Sequence, residues 1–117
     1  MFPYEKLDVY RKAYDTNRLV YRMLKANTAI PIYAKNQLGR ASLSIMLNIA
    51  EGSAKFSNKD RRKYYVTARG SVFECNALVS FLAEENEIAE QQKQELFQSY
   101  DEISRMLYTM IQNLSKE

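Results

Sequence analysis

Between positions 65 and 82 the residues Tyr65, Ala68, Val72, Cys75, Val79 and Leu82 step by 3, 4, 3, 4 and 3. A second set, Leu96, Tyr100, Ile103, Leu107, Met110 and Leu114, steps by 4, 3, 4, 3 and 4. That spacing gathers each set on one stripe of a helix and scatters it on a strand. Such stripes leave water by packing on others of their kind, at crossing angles near 20°. Helix-on-helix packing is therefore the first constraint on this chain.

Two more helices precede these. The first is expected from about Glu5 to Ala26, with Leu7, Tyr10, Tyr14 and Tyr21 as its stripe and Val9, Ala13, Val20 and Leu24 widening it. The stretch "NTAIP" interrupts it, because the residue before a proline avoids helical geometry. Pro31 opens the second helix, where its missing N–H costs little. Leu38, Ala41, Ile45 and Ile49 carry that helix toward Gly52, which is expected to close it as a left-handed cap. Ser57, with Asp60 three residues on, reads as an N-cap pair for the third helix. "EENE" is a short connection to the fourth. No alternating run argues for a strand. The expected architecture is all-α: one domain over residues 1–117, an up-down antiparallel four-helix bundle with helices near 5–26, 32–53, 58–84 and 88–115. A chain of 117 residues suits a single domain that buries roughly two thirds of its unfolded surface.

The chemistry is sparse. With no His, neither a Ser-His-Asp nor a Cys-His relay can form, nor the Glu-x-x-His motif of di-iron bundles. A single Cys and no His exclude zinc sites built from those residues. "QLGR" and "ARGS" each hold one glycine, too few for a phosphate loop. Cys75 lies on the apolar stripe and reads as a small core residue rather than a nucleophile. The expectation is no enzyme, no metal and no cofactor. The lone Cys fits a reducing compartment. The opening "MFPYEKLDVY" has no apolar h-region, and no apolar run approaches the ~18 residues of a membrane span. A cytoplasmic protein without membrane contact is expected.

Charge is unevenly spread. Residues 1–40 carry a net +5, residues 41–83 a net +3 and residues 84–117 a net −5. Such asymmetry points to an anionic partner or to self-association between opposite faces. Two basic groups stand out. Arg11, Arg18, Arg22 and Lys25 share a face of the first helix, with Asp15 placed to pair with Arg11 or Arg18. Lys55, Lys59, Arg61, Arg62 and Lys63 crowd the start of the third helix beside Tyr64 and Tyr65, where the dipole disfavours cations. A phosphate backbone would supply the missing counter-charge. Solubility alone is the competing reading. No base-reading module is recognisable, so any binding is expected to be sequence-independent and salt-sensitive.

Polar residues also line up. Gln37, Arg40, Ser44, Asn48 and Glu51 share one face of the second helix, and Thr67, Ser71 and Glu74 one face of the third. Arg40, Asn48, Glu51, Ser71 and Glu74 are expected to satisfy one another as a structural network where the two helices meet, with a ligand role as the alternative. Gly70, costing about 1 kcal/mol inside a helix relative to Ala, calls for close backbone approach by a neighbouring element.

These residues carry a likeness. "SLSIMLNIAEGSAKFSNKDRRKYYVTARGSVFE" resembles the signature of the four-helix-bundle proteins also called 23S rRNA intervening-sequence proteins. The matching pieces are Ser44-Ile45, the run Asn48 to Gly52, the run Ala68 to Ser71, and Glu74. The opening "KLDVYRKAYD" and the ending "ISRMLYTMIQNL" extend the resemblance over nearly the whole chain. Gly39-Arg40 departs from the two basic residues usual there, and Cys75-Asn76 from the common Leu-Glu. The resemblance implies a bacterial bundle that assembles into a ring, a homopentamer. A relative, the accessory variability protein of diversity-generating retroelements, is a basic pentamer that binds nucleic acid and a reverse transcriptase. The expected function is thus a non-enzymatic oligomer binding RNA or DNA through basic patches. The alternative is a structural or protein-interaction module whose acidic last third docks a partner.

Overall fold

Each apolar stripe becomes one wall of a shared interior. The computed structural model describes residues 1–116. A 3₁₀ turn at Pro3–Lys6 leads into α1 (Asp8–Ala26), α2 (Ile32–Ser53), α3 (Asn58–Glu84) and α4 (Glu90–Leu114). Each helix packs on its sequence neighbours, and α4 closes the square against α1. The result is an antiparallel bundle with extents 47 × 25 × 21 Å and, among the described residues, no strand. Among them, no helix is long and apolar enough to cross a membrane.

All six residues of the α3 stripe are buried. On α2 the buried set holds Leu38, Ala41, Ile45 and Ile49, with Ala34, Ser42 and Gly52 added. Fully burying one such aliphatic side chain contributes about 1.5–3 kcal/mol. On α4 the stripe holds from Leu96 to Leu107 and then shifts to Ile111, leaving Met110 and Leu114 half-buried. On α1 the inward face is Val9, Ala13, Thr16, Val20 and Met23, stepping by 4, 3, 4 and 3. The tyrosines lie beside it: Tyr14 and Tyr21 are exposed and Tyr10 is half-buried. Thr16 hides in the pattern because it is polar. Its hydroxyl donates to the Lys12 carbonyl at 2.8 Å, which satisfies it without leaving the helix.

The connections carry their own chemistry. The Ser57 hydroxyl accepts the Asp60 N–H at 3.1 Å and caps α3. At the other end of α3, Asn86 takes a positive φ of 61°. The Glu87 N–H bonds to the Leu82 carbonyl and the Asn86 N–H to the Ala83 carbonyl, a Schellman arrangement with Asn where Gly is usual. Helix α4 begins two residues later than its apolar pattern implies, because the Gln92 side chain accepts the Ala89 N–H and fixes the start there.

Neither Gly52 nor Gly70 plays the role expected of it. Gly52 is not a left-handed cap. It is helical, and α2 runs on to Ser53. A Cβ on Gly52 would lie 2.7 Å from Tyr65 Cε1 and 3.0 Å from Tyr64 Cβ, so α2 and α3 approach tightly here. Gly70, expected at a close approach, has no atom within 4 Å of where its Cβ would stand. Gly52→Ala is accordingly expected to destabilise by about 1–3 kcal/mol through overpacking, although Ala is the better helix former. Urea unfolding measures this, and a raised midpoint would contradict it.

Candidate nucleic-acid interface

The α2–α3 corner is a short, tied connection. The Lys55 N–H bonds to the Gly52 carbonyl, and the Arg61 Nε–H reaches back to the Lys55 carbonyl at 2.7 Å. The Lys55 ammonium sits 5.0 Å above the Tyr64 ring. Arg62 donates to the Ser115 hydroxyl at 2.7 Å, which ties the corner to the end of α4. Lys59 and Lys63 extend into solvent. None of these five cations forms an ion pair among the described residues. Three of them meet only a ring, a carbonyl and a hydroxyl, and two meet solvent, so their charge is left without a counter-ion.

The first-helix group is weaker. Arg11 pairs with Asp8 one turn before it, not with Asp15, because the i,i+3 geometry from the helix start brings those two together. Arg18 and Arg22 are exposed and without an ion pair among the described residues. Lys25 lies over the Tyr21 ring. Glu84, Glu85, Glu87 and Glu90 gather at the α3–α4 connection, at the opposite end of the 27-residue α3. At 1.5 Å per residue the two ends stand about 40 Å apart. The α1–α2 connection shares that end, where Asn27 bonds to the Glu87 carbonyl, so Arg22, Lys25 and Lys35 partly offset the glutamates and the unpaired cations of the α2–α3 corner are the denser charge.

The polar stripe lies at the rim of the α2–α3 contact rather than inside it. The Ser44 and Ser71 hydroxyls meet at 3.0 Å. Asn48 Nδ2 donates to the Ser44 carbonyl at 2.8 Å and to its hydroxyl at 2.9 Å. Gln37 Nε2 donates to Glu74 Oε2 at 2.6 Å. Arg40 and Glu51 are exposed and join neither group, since their positions turn one step further from the seam. Arg69, in the same stretch, is a strut: its guanidinium stacks 4.8 Å from Phe73 and 5.4 Å from Tyr108, and its Nε–H donates to the Ser104 carbonyl. The aromatic four residues on was the available signal for it.

Cys75 is fully buried and burial pushes its thiol up to about 12. The Tyr100 hydroxyl, buried without a hydrogen-bond partner, is also shifted up, first by burial and then by the neighbouring thiol. Among the described residues no group of three or more His, Cys, Asp or Glu side chains is placed to hold a metal.

A model of the family described as 23S rRNA-intervening sequence protein matches residues 5–109. The chain belongs to this family. Among solved structures it is similar to a protein of unknown function from the S23 ribosomal protein family of Bacteroides thetaiotaomicron. That likeness has a TM-score of 0.80 at 23% identity and covers 88% of this chain and 97% of the other. It extends to the fold. No curated protein matches the sequence.

The Cys75 and Tyr100 shifts set a pH dependence. Both groups hold their protons to higher pH folded than unfolded, so the stability they contribute is full below about pH 9 and declines above it. For Cys75 the slope is about 1 kcal/mol per pH unit up to its folded value. Urea midpoints taken from about pH 8 to pH 10.5 should fall, and Cys75→Ala should flatten the fall. An unchanged slope in that variant would contradict the assignment.

Proposed function

We infer that this protein is a non-enzymatic, oligomeric bundle that binds RNA or DNA through its cationic α2–α3 corner, without strong sequence specificity. The observation that carries this is the set Lys55, Lys59, Arg61, Arg62 and Lys63, concentrated at one end and unpaired with any described carboxylate. Arg18 and Arg22 extend the field along α1, with Arg11 partly neutralised by Asp8. Phosphates neutralised there would release counterions and make affinity fall steeply with salt. The family's name agrees with a ribonucleic acid context. A bacterial cytoplasm fits a chain whose single cysteine has no partner for an internal disulfide.

Self-association rests on a separate feature. Two unlike apolar grooves lie open, one along α1–α2 at Tyr21, Leu24, Ile32 and Leu43, the other along α3–α4 at Val66, Gly70, Phe73 and Tyr108. In a square bundle these are opposite faces. Contact between unlike faces is head-to-tail, and a closing rotation makes it a ring, which a pentamer would satisfy. Copies of the cationic corner would then add avidity. Arg40 and Glu51, exposed and without an ion pair among the described residues, are available to the same contact.

A second reading is favoured by the acidic end. Glu84, Glu85, Glu87 and Glu90 would dock a basic protein partner, such as a reverse transcriptase, and leave nucleic acid no role.

Two experiments follow. Lys59→Gln with Lys63→Gln should reduce the slope of log affinity against log salt by about 2 for a short RNA duplex. An unchanged slope would favour the protein-docking reading. Gly70→Leu has open space within the chain and a better helix former, so helix content should be retained while mass by light scattering drops. Unchanged mass would remove the α3–α4 face from the assembly.

A further inference from the structure

Phe56 stands in the middle of the cationic corner and is 98% exposed, more than any other large apolar side chain described. No aromatic neighbour stacks on it, and it lies outside the buried core and the partly buried residues packed on it. Single exposed apolar residues are ordinary on protein surfaces. Phe56 differs in being held out rather than merely left out. The residue before it is pinned by two hydrogen bonds, from its own N–H to Gly52 and to its carbonyl from Arg61. The residue after it is the N-cap of α3, with its hydroxyl engaged by Asp60. The backbone on both sides is fixed, so the Phe56 Cα is held in place and only the two side-chain torsions of the exposed ring stay free. An aromatic ring presented in this way loses little conformational freedom on binding.

Its surroundings name the ligand. Lys55 adjoins it in sequence, Lys59 follows within one helical turn, and Lys63 lies one further turn along α3. Cations beside a projecting aromatic ring are the parts that single-stranded nucleic acid requires: charge for the backbone and a flat face for a base. A paired base in a duplex has its faces covered by its neighbours, while an unpaired one offers a face. We propose that Phe56 is a stacking platform for an unpaired base, with Lys55, Lys59 and Lys63 holding the flanking phosphates. The inference rests on the nucleic-acid reading above and adds, to charge contacts that a duplex also makes at this corner, a stacking contact that only a single strand can use. It is independent of base identity, since every base has a π-face.

The chain contains no tryptophan, so Phe56→Trp places a sole indole at the platform. On the full chain, oligouridylate should quench that indole, and a short RNA duplex should leave it largely unchanged. Phe56→Ala should weaken oligouridylate binding by about 10-fold, while Phe56→Tyr keeps the parent affinity. Duplex affinity, the salt slope, helix content and mass should stay at parent values in all three variants. Equal oligouridylate affinity for Phe56→Ala and the parent would overturn the proposal and leave the nucleic-acid reading standing. Equal losses on single strand and duplex would overturn it in favour of a wedge into the duplex. A fall in mass would assign Phe56 to a subunit contact instead. If the parent chain binds neither RNA, the nucleic-acid reading fails and the platform with it.

Discussion

The tight approach of α3 to α2 at Gly52 determines where everything else at the corner lies. With no side chain on Gly52, the buried Tyr65 ring and the Tyr64 Cβ can pack directly on the α2 backbone. The two helices are then close enough for a four-residue connection, Ala54 to Ser57, to join them. That short connection forces Lys55, Phe56 and the cations of the first α3 turns into one small volume. A bulkier residue at the pinch would spread the corner and dilute its charge.

Charge and packing are segregated in this bundle. The interior is closed by stripes at three- and four-residue spacing from all four helices, and it needs no ion pair. The ion pairs among the described residues lie at the surface: Lys12 reaches Glu102 at 2.8 Å between α1 and α4, and the others join residues of a single helix. Pairs of that kind are worth about 0–1 kcal/mol. Stability therefore leaves the distribution of surface charge nearly free, and the sequence uses that freedom to concentrate unpaired cations at the α2–α3 corner and glutamates at the α3–α4 connection. Positive charge concentrated in this way orients an approaching polyanion toward the corner before contact.

Much of the fold is legible in the sequence because period and seam coincide. On α3 every residue of the three-four pattern is buried, and on α2 the aliphatic members are. Where the pattern mixes with other signals it misleads. On α1 the aromatic residues form a louder stripe than the buried one, since Thr16 breaks the apolar run and tyrosines tolerate a half-exposed rim. The glycines are the sharper case. Sequence shows that Gly52 ends an apolar run and that Gly70 interrupts a helix. It does not show which neighbour each one faces, because that depends on the rotation of α3 against α2. The cationic corner was legible as a charge run, while Phe56 was not, because an aromatic residue reads as core until a structure shows it outside. Arg40 and Glu51 share a helical face with Asn48, yet only Asn48 turns inward enough to bond with Ser44.

The most direct test of the corner as a nucleic-acid surface is photo-crosslinking of 4-thiouridine-substituted RNA to the intact protein, with the linked peptides located by mass spectrometry. The predicted result is adducts within residues 54–65 and none within residues 84–95 at the acidic end. Adducts at the acidic end, or a corner that remains unmodified while RNA is bound, would contradict it.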